Sequence, residues 1–379
     1  MDIKNLREEI DQINKEMVAL FSKRMDVSEQ IAKYKQANKL PIRDTERERQ
    51  LLNKVSDLAG EEMASYTRVL FTTMMDLSRS YQSKHMQEES ELGKSIESAL
   101  NTTEKLFPSR AHVACQGIEG AYSQKACEKM FALPDIMFVN TFENVFQAVE
   151  SGLCDYGIVP LENSTAGSVN MTYDLLAKHD MFIVRSIKMQ INHVLLTKKG
   201  VRLDQVKEIF SHEQAINQCS SFLRSLKGVK VTVCANTAMA AHMVSTSDRT
   251  DVAAISSHDC ASQYGLDIQD KKVQNTDSNF TKFICISKKL EIYPGANRTS
   301  LVFSTANKPG ALYNVMARLS SLGINVIKLE SRPIVGKDFE FMFYFDLDVS
   351  VYSPEFKQLI FELETQVDGF KYYGSYSEV

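Results

Sequence analysis

The residues best able to do chemistry in this chain fall into groups far apart in sequence, and the first lies on one long helical stretch. Arg24 and Lys35 are eleven residues apart. On an α-helix that spacing places them about 20° apart in azimuth and roughly 16 Å apart along the axis. Two long cationic side chains so placed can converge on a small dianion between them. Arg7 precedes Arg24 by seventeen residues, which puts it roughly 25 Å away and about 100° round the helix. It reaches such a site only if an antiparallel partner helix brings it there. Downstream, Asp44, Arg47 and Glu48 fall within one turn, and Ser78 and Gln82 stand at i and i+4. A solvated, salt-bridged surface explains any one of these charges. It explains Arg24 poorly, because Arg24 interrupts an apolar seam, where a guanidinium must snorkel, pair with a carboxylate or meet an anion.

A second group combines small residues with hydroxyls and amides: Gln116-Gly117-Ile118-Glu119-Gly120-Ala121-Tyr122-Ser123, Val159-Pro160-Leu161-Glu162-Asn163-Ser164-Thr165, Ser211-His212-Glu213-Gln214-Ala215-Ile216-Asn217-Gln218-Cys219 and Asn279-Phe280-Thr281-Lys282-Phe283. Each begins where a strand is expected to end, the position at which open α/β sheets place ligands. Hydroxyls and backbone N–H groups there suit an anionic, carboxylate-bearing substrate. Singly, each cluster reads equally as a turn or a helix cap. Near the C-terminus, Asn307-Lys308-Pro309-Gly310-Ala311-Leu312-Tyr313 puts a glycine turn at a helix start, and Glu330-Ser331-Arg332-Pro333 follows a strand.

These groups need elements to position them. Ile3, Leu6, Ile10, Ile13, Met17, Leu20, Arg24, Val27, Ile31 and Tyr34 alternate spacings of three and four without an intervening Gly or Pro, a heptad seam. The helix it predicts, roughly 50 Å long, cannot bury its stripe alone. Pro41 ends it. Asp44 or Thr45 caps a second helix, Glu46 to Ala59, closed by Gly60; a third carries Met63, Tyr66, Leu70, Met74, Leu77 and Tyr81 on one stripe. Residues 1–88 thus form an all-helical unit. The polar stretch from Gln87 to Phe107, closed by Pro108, reads as a partly helical linker, placed at 89–110. From Ala111 short β runs alternate with helical ones: His112 to Ala114, Tyr156 to Val159, Phe182 to Val184, His193 to Thr197, Val229 to Cys234, Val252 to Ile255 and Phe283 to Ser287, an α/β unit over 111–288. A break at Tyr293-Pro294-Gly295 precedes strands Thr299 to Thr305, Ile324 to Arg332 and Phe339 to Val349 and helices Gly310 to Leu322 and Ser353 to Val367. That order is ferredoxin-like, α+β, over 298–379.

Bulk properties narrow the function classes. At 379 residues the chain exceeds one core. A net charge of −4 gives no polycationic footprint for nucleic acid. The N-terminal stretch is charged throughout and no apolar run approaches a bilayer's thickness, so a cytoplasmic location without membrane contact is expected. The seven cysteines are scattered without a Cys-x-x-Cys pair and read as reduced, mostly buried thiols, Cys219 alone having motif-like neighbours. The histidines show no ligand spacing, and neither Gly-x-Gly-x-x-Gly nor a P-loop is present. No metal and no cofactor are expected.

Arg7, Arg24, Lys35, Arg43-Asp44-x-x-Arg47-Glu48, Ser78 and Gln82 together resemble the binding set of the all-helical chorismate mutases over residues 1–85. The resemblance implies an intertwined homodimer in which Arg7 reaches the partner's site. By it, Arg24 and Arg7 bind carboxylates and Lys35 and Gln82 donate to the breaking ether oxygen. Glu48 and Asp44 position the ring hydroxyl, while Arg47 and Ser78 complete the pocket. The second group resembles prephenate dehydratases over about 111–288. Thr281-Lys282-Phe283 stands for that family's Thr-Arg-Phe, Ser211-His212-Glu213-Gln214 for Ser-His-Pro-Gln and Gly120-Ala121-Tyr122-Ser123 for Gly-Thr-Tyr-Ser. The implied fold is two-lobed, like type II periplasmic binding proteins, the chain leaving lobe one near Ile187 and returning near Val273. Thr281 is then the essential group, with Asn163, Ser164, Ser211 and Gln218, and His212 or Glu162, holding substrate or delivering a proton. The C-terminal unit resembles ACT regulatory domains of the phenylalanine-binding kind, Gly310-Ala311-Leu312 and Glu330-Ser331-Arg332 matching the effector motifs. In this order the blocks resemble the bifunctional chorismate mutase/prephenate dehydratases, whose small-molecule partners are chorismate, prephenate and phenylalanine, as dimers or paired dimers. A carboxylate sensor with dimerising helices and no turnover is the alternative. A mutase fused to prephenate dehydrogenase is disfavoured, as no nicotinamide fingerprint is present.

Overall fold

The structure, a computed structural model, describes residues 2–38, 40–41, 44–86, 90–305, 307, 309–334 and 340–379. Arg43, Gln87, Lys308 and Phe339, used above, lie outside the described residues. The first helix, α1 (Ile3–Ala37), is capped by Asp2, whose carboxylate accepts from Lys4 N. The next, α2 (Thr45–Met86), is interrupted at Gly60, where φ is +74° and ψ 168°, a conformation glycine adopts without steric cost. Arg68 reaches back to Asn53 and Ser56, and Arg79 pairs with Glu48. Such contacts cannot occur along a straight helix, so the chain folds back at Gly60 into the expected second and third helices.

Within this unit α1 turns Met25, Ser28 and Ala32 toward α2. That face is offset from the heptad seam. Ile10, Met17 and Leu20 on the seam are 57%, 51% and 69% exposed.

The α/β unit begins with β1 (Arg110–Gln116), α4 (Tyr122–Met130), β2 (Leu133–Val139), α5 (Phe142–Glu150), β3 (Tyr156–Asn163), β4 (Gly167–Ser168), α6 (Asn170–Lys178) and β5 (Phe182–Gln190), numbered after α3 (Glu91–Thr102). Lobe two follows as β6 (His193–Thr197), β7 (Glu208–Ser211), α7 (Glu213–Gln218), α8 (Ser220–Ser225), β8 (Lys230–Val233), α9 (Thr237–Thr246), β9 (Val252–Ser257), α10 (Asp259–Tyr264) and β10 (Asp267–Asp270). The chain then returns to lobe one as β11 (Phe280–Ser287), between β5 and β3. The exit falls just after β5, close to the expected Ile187, but Val273 still packs in the core of lobe two and the return comes only at Phe280. The strand order in lobe two is β10-β6-β9-β7-β8. Strands β2, β4 and β10 were not anticipated. In β2 the obstacle is Pro134, tolerated because β2 is the sheet edge and needs donors on one side only.

The C-terminal unit runs β12 (Arg298–Ser304), α11 (Ala311–Ser321), β13 (Asn325–Pro333), β14 (Phe341–Asp348), α12 (Pro354–Gln366) and β15 (Asp368–Glu378). Its antiparallel order, β13-β14-β12-β15, completes the ferredoxin-like fold with a last strand absent from the sequence reading. The end of β15 pairs with β5, so lobe one and the C-terminal unit share a ten-stranded sheet. A Cβ at Gly374 would lie 2.4 Å from Ile183 O; only glycine lets the strands approach so closely. The stretch read as a linker is also built in: α3 puts Ile96 and Ala99 into the C-terminal core with Phe303, Leu359 and Leu363. The helical unit docks on the same domain, Ser80 Oγ donating to buried Glu362 at 2.8 Å while Arg318 holds that carboxylate from its other side.

Candidate functional site

A cleft of about 330 Å³ opens between the lobes, with Gln116, Tyr122, Asn163, His193, His212, Gln218, Asn236 and Thr281 among its walls. A neighbouring hollow of about 500 Å³ shares His212, Gln214 and Gln218 with it. Strand ends position these groups: Asn163 closes β3, Thr281 lies opposite it on β11, and Gln218 ends α7.

Asn163 is the hub. Its Oδ1 accepts from Thr165 N at 3.0 Å and Ala166 N at 2.9 Å. Backbone N–H groups can only donate, so these bonds fix the orientation of the amide. Nδ2 therefore faces the other way and donates to Thr281 Oγ1 at 2.9 Å and Asn279 Oδ1 at 2.8 Å. With one lone pair so engaged, the Thr281 hydroxyl keeps its own proton for a group in the cleft. Gln218 donates to Thr165 Oγ1 at 2.8 Å and to Asn163 Oδ1 at 3.2 Å, while its carbonyl accepts from Asn279 Nδ2 at 3.0 Å. His193 Nε2 meets that carbonyl at 3.1 Å, which makes Nε2 the protonated nitrogen. Burial lowers the His193 pKa to about 4, against the opposing effect of the Gln218 bond, so the ring is neutral at pH 7. His212 is also shifted down by burial. The residues lining the cleft include neither lysine nor arginine.

Not every expected residue joins this network. Ser211 is buried in the sheet, its hydroxyl donating to Ile255 O at 2.7 Å. Ser164 Oγ braces the backbone, donating to Ser278 O and accepting from Phe280 N. Glu162 points away from the cleft to Lys328, 3.0 Å distant. Cys219 packs in the core of lobe two, its thiol pushed up to about 12 by burial. His193 and Asn279 were missed as site residues. The Asn279 cluster was quoted whole, but nothing in the local pattern marks a lone His at the start of a buried strand.

In the helical unit, Arg24 is half-buried and donates to Ser78 Oγ and, at 3.2 Å, to Met74 O. Gln82 is buried nearby with Oε1 unpartnered among the described residues. Lys35 is half-buried about three turns beyond Arg24, while Arg7 and Arg47 are exposed. Asp44 serves as a cap, accepting from Arg47 N at 2.9 Å. Glu48 is gripped by Arg79, which also holds Asp76. Arg79 was overlooked; the Asp76-x-x-Arg79 spacing was its only sequence signal. Arg24, Ser78 and Gln82 are thus assembled within one chain, and Arg7 is not.

In the C-terminal unit Gly310, at φ +85°, starts α11, with Ala311 and Leu312 in its first turn. Along β13, Lys328, Glu330 and Arg332 face the α/β unit, Glu330 accepting from Ser168 at 2.5 Å and Arg332 gripping Asp174 at 2.8 Å. Ser331 lies on the exposed face with Ile327 and Leu329. Among the described residues no group of His, Cys, Asp or Glu is placed to hold a metal ion, and no helix is long and apolar enough to cross a membrane.

The fold and the cleft define a multidomain protein: a helical unit, a two-lobed α/β unit with an uncharged, amide-rich site, and a ferredoxin-like domain sharing its sheet. Residues 6–83 match the family described as chorismate mutase type II and residues 113–291 that of prephenate dehydratase. The bifunctional chorismate mutase/prephenate dehydratase of Escherichia coli is 30% identical over 98% of this chain and 95% of its own length. Arogenate dehydratase/prephenate dehydratase 2 of Arabidopsis thaliana is 35% identical over 71% of this chain and 73% of its own. Among solved structures, the prephenate dehydratase of Arthrobacter aurescens in complex with L-Phe aligns at a TM-score of 0.64 and 25% identity, covering 70% of this chain and 89% of that one. The chain belongs to the family of bifunctional chorismate mutase/prephenate dehydratases.

Proposed function

We propose that this chain is a cytoplasmic enzyme acting twice on one small dicarboxylic acid. The helical unit rearranges chorismate to prephenate, and the cleft converts prephenate to phenylpyruvate, CO2 and water, under feedback by phenylalanine. The Claisen step needs no covalent intermediate and no proton transfer. Its catalysts hold the reactive conformer and stabilise charge on the breaking ether bond. Arg24, braced by Ser78, binds a carboxylate; Gln82 and Lys35 donate to the ether oxygen; Glu48 and Asp44 orient the ring hydroxyl; Arg47 rims the pocket. Arg7 comes from a second copy, whose α1 would also cover the exposed seam.

In the cleft, the ring C–O and C–carboxylate bonds break together as the ring becomes aromatic. The departing hydroxyl takes up one proton from solvent, the net proton the reaction consumes, and leaves as water, while the carboxylate leaves as CO2. The observation that carries this reading is the fixed Asn163 amide, which donates to Thr281 Oγ1 at 2.9 Å and leaves the threonine proton for the leaving oxygen. A threonine is too weak an acid to surrender that proton outright, so Thr281 hydrogen-bonds the leaving group. The absence of cationic residues from the cleft lining fits a carboxylate that must be given up, because a strong counter-charge would stabilise the ground state. Phenylalanine would bind at Gly310, Ala311, Leu312 and the Glu330-Ser331-Arg332 segment, where two C-terminal units pair along their exposed edges. The chain is then a dimer, or a pair of dimers.

Purified full-length protein given chorismate should form prephenate and then phenylpyruvate, more slowly with phenylalanine present. Both acids left untouched would sink the reading. Binding of prephenate without turnover would instead favour a carboxylate sensor.

A further inference from the structure

The strand pair that carries Asn163 and Thr281 has a second face. Thr281 on β11 lies opposite Asn163 on β3, and the next rung pairs Lys282 with Glu162. Successive side chains of a strand point to opposite faces. The first rung therefore faces the cleft, and the second faces the C-terminal unit. There each member finds an opposite charge. Lys282 Nζ lies 2.7 Å from Asp346 Oδ2 on β14, and Glu162 Oε1 lies 3.0 Å from Lys328 Nζ on β13.

The first of these contacts is no loose surface pair, while Glu162 in the second is 38% exposed. Lys282 and Asp346 retain 12% and 10% of their side-chain exposure. Ser300 donates to the other Asp346 oxygen at 2.5 Å, and the ammonium stands 5.7 Å from the centre of the Tyr376 ring. Burial opposes the lysine's charge, but Tyr376 and Asp346 outweigh it, so its pKa lies above the ordinary value. A buried ion pair adds little net stability, because desolvation offsets the attraction; what it fixes is geometry. Here it fixes the residue covalently joined to Thr281.

We propose that Lys282 and Glu162 are positioning residues for the dehydration. Anchored to Asp346 and Lys328, they hold Thr281 and Asn163 from behind, so that the C-terminal sheet supports the active site directly. The inference rests on the dehydratase reading of the cleft. It makes the basic residue at 282 a mechanical part, with charge and length as its requirements.

The test uses the full chain, with its mutase rate as an internal control for folding. Lys282→Met should lower the dehydratase kcat by about tenfold or more while KM stays within about twofold, because misplacement of Thr281 acts on the reacting bond and not on binding. Lys282→Arg should recover most of that loss, and so should the exchange of Lys282→Asp with Asp346→Lys relative to either single variant. A Lys282→Met enzyme with wild-type kcat, a loss confined to KM, or failure of both rescues would overturn the inference. Should Lys282→Met also lose mutase activity through unfolding, Glu162→Gln decides, being at the more exposed pair. A several-fold fall in kcat at constant KM supports the inference, and an unchanged kcat overturns it. A wild-type chain inert toward prephenate removes the dehydratase reading and this inference together; an active wild type with an indifferent variant removes the inference alone.

Discussion

The helical unit and the cleft handle their polar groups in opposite ways. In the cleft, Asn163, Thr281, Gln218, His193 and Asn279 already hydrogen-bond one another within a single chain. In the helical unit Arg24 is joined to Ser78 and Met74 O, Glu48 is held separately by Arg79, and Arg7 stands exposed far along α1. The difference follows from what each surface buries. The cleft lies between lobes with their own cores. The helical unit turns its smaller Ser28 and Ala32 inward and leaves its largest apolar stripe outside. On the reading proposed above, one site is complete in a single chain, while the other needs a second copy.

The largest effect expected from breaking this comparison is at Thr281. Thr281→Val keeps the shape and removes the hydroxyl, so dehydratase turnover should fall about a thousandfold, as when an oxyanion-type donor is lost. The mutase rate in the same molecule should not change. Thr281→Ser keeps the donor and should stay near wild type. Valine retaining turnover would remove Thr281 from the chemistry.

The next effect is the reverse. Ile13→Glu places a charge on the exposed seam without disturbing the contacts of α1 with its own α2. If a partner helix covers that seam, burying the carboxylate is costly. Mutase activity should then drop about a hundredfold as the partner's Arg7 is withdrawn, with the dehydratase rate little altered. Equal loss of both activities would contradict the separation of the sites.

The same contrast governs what could be read from the sequence. The heptad seam was legible because it is strictly periodic, and its exposure in one chain fits the partner it demanded. Asn163, Gln218 and Thr281 do converge, but the clusters were only in part the strand ends expected: the Asn279 cluster opens β11, and the Val159 cluster begins within β3. The parity of a strand was not legible around a bulge. Glu162 and Asn163 adjoin in sequence yet face different domains, and β3 and β11 slip register between Lys282 and Phe283. Nor could Ser211 be told from a ligand group, since its hydroxyl is consumed by Ile255 O, distant in sequence. Strand β15, which carries two glycines, was not read from the sequence. One of them, Gly374, is what admits the strand against β5.

A sharper probe of the helical site is Gln82. Its buried Oε1 has no partner among the described residues, so the amide is free to turn toward a ligand. If that amide donates to the ether oxygen, Gln82→Glu can do so only when protonated. The variant's mutase rate should then rise toward acid pH, by about tenfold for each unit above the carboxyl's pKa. A flat profile would remove Gln82 as the donor.

The last expected effect concerns His193 and is one of stability, not of rate. Its pKa in the fold, about 4, lies below the ordinary 6.5 because burial disfavours the imidazolium. The fold thus binds the neutral ring. Above pH 6.5 the ring is neutral in folded and unfolded chains alike, and the histidine contributes no pH dependence. As pH falls from 6.5 toward 4 the unfolded chain takes up a proton that the folded one refuses, and stability is lost. Over the whole interval the loss is on the order of 3 kcal/mol. His193→Gln can still donate to Gln218 but does not titrate. Its deficit against wild type in urea midpoint, measured on the transition of the α/β unit, should therefore shrink between pH 6.5 and pH 4 and stay constant above. The other histidines and the carboxylates titrate alike in both proteins, so the difference isolates position 193. Parallel curves across that interval would mean that the ring is not held neutral, and that the Gln218 carbonyl instead faces an imidazolium.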